Sequence, residues 1–367
     1  MSIFSLISFI VLTLLMLIII GVATLCFKTA HPERSTRVES GIEGVKSIDD
    51  LPWEYENLSF TGHGNVKIKG WVVKADSAST LTPSAQSSSP NSSKVSEKTF
   101  ILIHGHKKNK IQMLGRGRLL HSLGYNLLFI DFRHHGESDD GPFGLGYFGR
   151  FDLQLLINEV RTKIFPGSWT GVFGVSLGAT TAIATEAEFG SIDCIIADSP
   201  SSNQTTTLCE YGSRIYHAPF LLTKSALKLV EIYYGMDFKK LNIPKMIEEP
   251  NNQTVRQNGE ATVEQNGDTT AKQNNDTTVE QNGGQTIEGK GWKNIPVLLL
   301  HGKKDNRVPF YHSQKLYDVI KSVSRGETIR LIEFTTANHV EGYSLEREVY
   351  DNEVRDFLTH CACCQDA

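Results

Sequence analysis

Gly174-Val175-Ser176-Leu177-Gly178 stands between an apolar run, Trp169 to Phe173, and a stretch rich in Ala and Thr, Leu177 to Phe189. The run reads as a strand and the stretch as a helix, so this is G-x-S-x-G at a strand-to-helix junction, the context that gives the pattern meaning. A turn sharp enough to lift Ser176 above a sheet brings backbone close on both sides, which is why the flanking positions need glycine. The helix from Leu177 aims its free N–H groups and positive dipole end at an oxyanion forming beside Ser176 Oγ. Alone, the pentapeptide is a weak signal, and a serine here also fits a helix N-cap.

Working outward, strands and helices alternate. Val66 to Val73 has the period of an antiparallel strand. Phe100 to Ile103, Asn126 to Ile130, Ile192 to Ala197, Val297 to Leu300 and Thr328 to Phe334 are buried strands. Ile111 to Leu123, Phe151 to Ile164, Leu177 to Phe189 and Ser344 to Leu358 are helical. Strands with few polar residues, separated by helices, predict a parallel sheet covered on both faces. Ligands of such sheets bind at the carboxyl ends of the strands.

The chemical residues fall at those ends. His104-Gly105-His106 closes one strand, and the backbone N–H of His106 with that of Leu177 forms the expected oxyanion hole. The imidazoles of His104 and His106 read as ordinary hydrogen-bonding loop groups. A serine needs a base, and the chain order serine, acid, histidine points to Asp305 in His301-Gly302-Lys303-Lys304-Asp305 and to His339 in Ala337-Asn338-His339. Asp198, after the strand 192–197, is the alternative acid, and it also fits a cap of the turn into Pro200. Asp131, Arg133 and Gly136, in Asp131 to Ser138, read as a brace for the site: an ion pair and a tight turn. No phosphate-cradling or dinucleotide fingerprint is present, and no cofactor or metal is expected.

On His104-Gly105, Asp131 to Ser138, Gly174 to Gly178, Ile196 to Pro200, His301 to Asp305 and Ala337 to His339, the chain resembles the alpha/beta hydrolase superfamily, in particular membrane-anchored bacterial proteins of serine aminopeptidase-like and acyl-esterase-like type. The resemblance covers about residues 55–360. It implies an alpha/beta-hydrolase fold with an eight-stranded, mostly parallel sheet and a cap between the sixth strand and the acid loop. Residues 201–248 fit that cap, with Ile215, Phe220, Leu221, Leu222, Leu227, Val230 and Tyr233 as its apolar face.

Several segments stand outside this domain. Ile3 to Phe27 carries no charge and is long enough for a hydrocarbon core of ~30 Å. Residues 1–28 therefore read as a transmembrane anchor, followed by a juxtamembrane segment, 29–54. A cleaved signal peptide is the competing reading, with Gly21-Val22-Ala23 as its site. Lys28, Arg34 and Arg37 follow the span and none precedes it, which predicts a cytoplasmic C-terminal part. Residues 77–96 are a Ser-rich, flexible loop. Residues 250–291 hold four octapeptides, from Gln253 to Gly284, each with a single apolar side chain, too thin a core for a solenoid, and so a disordered surface insertion. Residues 361–367 form a tail with Cys361, Cys363 and Cys364. Without these segments about 280 residues remain, one large domain with a cap.

The expectation is a membrane-anchored serine hydrolase cleaving a carboxylic ester or thioester through an acyl-enzyme. Its partners are a small acyl-containing substrate and, through residues 3–27, a lipid bilayer. The net charge of -4 argues against nucleic acid. The alternatives are a serine peptidase for short peptides, with Glu210 and Glu231 gripping an amino terminus, or a non-catalytic anchored scaffold.

Overall fold

The computed structural model describes residues 3–30, 34, 45–76, 97–249, 254–256, 286–288, 291–324 and 329–360. The 77–96 loop, most of the octapeptide insertion, parts of the juxtamembrane segment and the 361–367 tail lie outside the described residues.

Helix α1 (Ile3–Ala30) precedes β1 (Tyr55–Thr61) and β2 (Lys67–Val73). After β3 (Lys98–Ile103) come α2 (Leu114–Ser122), β4 (Asn126–Ile130), α3 (Gly149–Glu159), β5 (Trp169–Val175), α4 (Leu177–Phe189) and β6 (Cys194–Asp198). Three helices follow in the segment expected as a cap: α5 (Gln204–Tyr216), α6 (Phe220–Tyr234) and α7 (Ile243–Glu248). A short ribbon, β7 (Thr254–Arg256) and β8 (Thr286–Glu288), leads to β9 (Val297–Gly302), α8 (Tyr311–Val323), β10 (Ile329–Phe334), α9 (Gly342–Leu345) and α10 (Arg347–His360).

Eight strands pair in the order β1-β2-β4-β3-β5-β6-β9-β10. β1 and β2 are antiparallel to each other, and β2 to β4; every later pairing is parallel. The β-strand period of two sends alternate side chains to opposite faces. Ile101, Ile103, Val172, Ile195 and Leu299 join one core with Leu156, Ala182, Ile183 and Ile320 from α3, α4 and α8. Phe100, Leu102, Phe173, Ile196 and Leu298 join the other with Leu120, Val354 and Phe357 from α2 and α10. The expected eight-stranded, two-sided α/β architecture is thus observed.

Register aligns the carboxyl ends. Ile103 pairs with Gly174, Val175 with Asp198, and Phe334 with Gly302. The turns after β3, β5, β6, β9 and β10 therefore open on one edge of the sheet.

Some elements differ from expectation. The helix expected over 111–123 starts as a 3-10 turn, Lys110–Met113, capped by the Asn109 side chain. The one expected over 151–164 ends in a π turn, Val160–Ile164. The last helix is two, α9 and α10. β1 and α8 were not anticipated. The insertion is not structureless throughout, because its ends pair as β7 and β8, with Val255 opposite Ile287. The cap residues expected on one apolar face are split between two. Leu227 and Val230 are buried, whereas Ile215, Phe220, Leu221 and Tyr233 are exposed. A period of 3.6 residues puts 227 and 230 on one side of α6 and 221 and 233 on another. α1 is long and apolar enough to cross a membrane. Its Thr13 and Thr24 hydroxyls donate to the carbonyls of Phe9 and Ile20, one turn back.

Candidate active site

The elbow is built by close packing. A Cβ on Gly174 would lie 2.3 Å from the Gly178 carbonyl carbon, and one on Gly178 would lie 2.4 Å from the Ile103 carbonyl oxygen. Only glycine fits at either place. Ser176 itself sits at φ 54°, where a side chain is strained, and its N–H donates to the Asp198 carbonyl at 2.7 Å. Its side chain caps nothing in the helix, so the N-cap alternative does not describe it. The hydroxyl donates instead to His339 Nε2 at 2.8 Å.

His339 is held from its other nitrogen. Nδ1 lies 2.6 Å from Asp305 Oδ2. A carboxylate only accepts, so Nδ1 carries the proton and Nε2 faces Ser176 as an acceptor. Burial pulls the Asp305 carboxyl upward, but hydrogen bonds from His301 and His339 outweigh it and hold the group below the usual carboxylate range. The backbone N–H groups of Arg307 and Val308 donate to its Oδ1 at 2.9 and 2.8 Å.

Two neighbours of this pair escaped the sequence reading. His301 is fully buried, donates through Nε2 to the Val308 carbonyl at 2.8 Å and lies 3.1 Å from Asp305 Oδ2; Ser313 Oγ donates to its Nδ1 at 2.6 Å. The Asn338 side chain accepts from the N–H groups of both Asn306 and His339, at 3.1 and 2.9 Å, and so ties the acid turn to the histidine turn. The adjacency of both residues to the expected acid and histidine was the available signal. Gly302 allows that approach, because a Cβ there would lie 2.4 Å from the Ala337 carbonyl oxygen.

Asp198, the alternative acid, is committed elsewhere. Its Oδ2 accepts from Arg116 at 2.8 Å and Tyr350 at 2.9 Å, and its Oδ1 from Ser199 at 3.0 Å. All of these groups are buried, and none of these contacts is to His339.

The turn after β3 runs beside the elbow: a Cβ on Gly105 would lie 3.4 Å from Ser176 Cβ. Three imidazole contacts shape this turn. His104 Nδ1 donates to the Gly105 carbonyl at 2.7 Å, and its Nε2 accepts from Phe132 N–H at 3.0 Å. His135 Nε2 accepts from the Lys107 N–H at 3.2 Å. Lys107 has φ 57°. The His106 ring stacks on Phe143, with centroids 5.4 Å apart. Burial pushes His104, His106 and His135 down to about 3, so all three are neutral at pH 7. The backbone N–H groups of His106 and Leu177 donate to no other group among the described residues.

Asp131 and Arg133 do brace the site, but not as a pair with each other. Asp131 binds Lys110 at 2.6 Å, while Arg133 holds Asp152 through two hydrogen bonds, at 2.7 and 2.8 Å. Gly136, at φ 49°, is needed because the Asp131 carboxyl occupies the place of its Cβ. Glu210 and Glu231 are not a pair either. Glu210 binds Arg214 and Tyr311, each at 2.6 Å, and buried Glu231 accepts from Phe238 N–H.

Chemically, the arrangement offers a hydroxyl beside an imidazole, a carboxylate behind the imidazole, and free N–H groups on the turns after β3 and β5. It can add an alkoxide to a carbonyl and stabilise the resulting oxyanion.

An esterase of Pyrococcus furiosus superposes with a TM-score of 0.59 at 23% identity, over 91% of this chain and 98% of that one. The chain thus has the alpha/beta-hydrolase fold. The acylaminoacyl peptidase of Pyrococcus horikoshii superposes with a TM-score of 0.53 at 16% identity, over 86% of this chain and 42% of that one. Residues 251–363 match the prolyl oligopeptidase family, a span containing Asp305 and His339 but not Ser176. Among curated proteins, YqkD of Bacillus subtilis is 24% identical over 71% of this chain and 70% of its own length. YfhR of Escherichia coli K12 is 24% identical over 84% of this chain and 81% of its own. Both are described as uncharacterized.

Proposed function

We propose that the chain is a serine hydrolase that cleaves a carboxylic ester or thioester through an acyl-enzyme on Ser176. The observation that carries this is the relay from Ser176 Oγ to His339 Nε2, at 2.8 Å, and from His339 Nδ1 to Asp305, at 2.6 Å. His339 takes the hydroxyl proton as Ser176 attacks the acyl carbon. The tetrahedral oxyanion is held by the N–H groups of His106 and Leu177. His339 then returns the proton to the leaving alcohol or thiol, and the same steps with water release the acid. Asp305 stays ionised, orients His339 and stabilises its imidazolium.

A peptidase reading has its own support in the prolyl oligopeptidase match and the acylaminoacyl peptidase likeness. The full chain assayed on p-nitrophenyl esters of graded acyl length and on acylated peptides separates the two. Ester turnover lost in His339→Ala supports the esterase. Cleavage of the peptides alone supports the peptidase, and no turnover of either class refutes both.

α1 acts, in this reading, as an uncleaved anchor, with Lys28, Arg34 and Arg37 holding the hydrolase domain on the cytoplasmic side. Protease protection in intact cells checks the side. A mature chain that starts after Ala23 would make α1 a signal peptide instead.

A further inference from the structure

α6 shows the solvent a face that a soluble cap does not need. Leu221 is 76% exposed, Leu229 54%, Ile232 69% and Tyr233 79%. Lys224 and Lys228 share this face, and it carries no exposed acid: the one acidic residue of α6, Glu231, is buried. Lysines interleaved with large apolar side chains on one helical face are the pattern of a helix lying in a membrane interface.

A second observation concerns charge. Beside Phe220 and Lys224 lies a cavity of about 550 Å³ whose rim includes Lys239, Lys240 and Lys245. Lys245 is paired with Glu249 at 3.5 Å, while Lys224, Lys239 and Lys240 have no ion pair among the described residues. The cavity contains none of Ser176, Asp305 and His339. Its cations suit the phosphate of an anionic lipid, each basic group near such a surface being favourable by attraction to it.

The third is position. α1 packs against α6, and its Val22 touches the same core cluster as the buried side of α6. At ~1.5 Å per residue, Ile3 to Val22 spans about 30 Å, the thickness of a hydrocarbon core. α6 therefore meets α1 where a spanning helix would leave the bilayer. The cap also reaches the acid turn, since Arg214 of α5 donates to the Asn306 carbonyl at 3.4 Å and Tyr311 to Glu210 at 2.6 Å.

We propose that the exposed face of α6 rests on the surface of an anionic bilayer, so that the cap receives its acyl substrate from the lipid phase. This rests on the anchor and hydrolase readings above. Its test keeps the three apart. The full chain is reconstituted in phosphatidylcholine–phosphatidylglycerol vesicles containing a photoactivatable lipid, irradiated and mapped by peptide mass spectrometry. Lipid adducts on both α1 and residues 220–234 are expected. Adducts on α1 alone leave the anchor standing and overturn the docking of α6, as do α6–α6 cross-links between copies in place of lipid adducts. No adducts on α1 overturn the anchor and this inference with it. In activity, L229S/I232S should lower turnover of a vesicle-embedded long-chain ester at least tenfold and leave a soluble short-chain ester unchanged. K224Q/K240Q should remove the dependence on phosphatidylglycerol. Equal rates for variant and native chain on the embedded ester, or equal losses on both esters, would contradict the proposal. If the native chain turns over neither ester, the hydrolase reading fails while the lipid adducts still decide the docking.

Discussion

Asp305 and Asp198 each stand at the end of a strand on the same sheet edge, and only their surroundings separate them. Asp305 meets His339, whereas Asp198 meets Arg116 and Tyr350, residues far off in the chain. The sequence order pointed to Asp305, but the competing use of Asp198 was invisible because no local pattern announces Arg116. Two substitutions should therefore diverge. Asp305→Asn should keep the fold and lower kcat by roughly 10⁴-fold, since the amide favours the wrong His339 tautomer. Asp198→Asn strands a buried guanidinium and should cost about 3–5 kcal/mol in urea unfolding, with folded protein still active. Comparable kcat losses in both variants would undo this division of roles. The imidazoles of His104 and His135 illustrate another limit. His104 was read as a hydrogen-bonding loop group and His135 was not read at all, because their grip on the 104–107 turn depends on Phe132 and Lys107 backbone that no spacing rule brings near.

Elements whose side chains alternate or repeat cleanly were legible. β3, β4, β5 and β9 are buried on both faces and read as short apolar runs. β1 was not, because as an edge strand it buries only Phe60 fully. α8 was passed over because buried His312 and Ser313 dilute its apolar stripe of Leu316, Val319 and Ile320. The β5–α4 junction tolerates little change. Gly174→Ala forces a Cβ into the backbone at Gly178 and should cost about 3 kcal/mol or more, read as a lowered urea midpoint. The octapeptide tract is the opposite case. β7 and β8 bring its ends together, with Arg256 opposite Thr286. Replacing residues 257–285 by a short Gly-Ser turn should leave ester turnover intact and shift stability upward by at most about 1.5 kcal/mol through the shorter loop. Loss of folded protein would show that the tract belongs to the domain.

For the whole molecule, the two-sided core imposes a pH dependence. His104, His106, His135 and His312 are neutral, each pushed down by burial to about 3. Their unfolded counterparts bind protons below about 6.5. Between those values the unfolded chain holds more protons, so stability falls as pH drops, by up to about 1.4 kcal/mol per pH unit for each imidazole. Glu186 works against this. Burial raises it to about 8 from 4.5, so its contribution falls as pH rises between those values. Four imidazoles outweigh one carboxyl between about pH 4.5 and 6.5, and the urea midpoint should climb steeply over that range, then decline gently toward pH 8. Asp305, held low, contributes stability above its unfolded range and loses it only in stronger acid. A flat profile from pH 4.5 to 6.5 would mean that the buried histidines are not neutral. α1 and the insertion flank or interrupt a single eight-stranded sheet. In the proposed mechanism Ser176 is the nucleophile of this sheet. Incubation of the full chain with a fluorophosphonate, followed by peptide mass spectrometry, tests it most directly. One adduct is expected, on Ser176, formed by the native chain, strongly slowed in His339→Ala and absent in Ser176→Ala. An adduct of equal yield in Ser176→Ala, or none in the folded native chain, would contradict it.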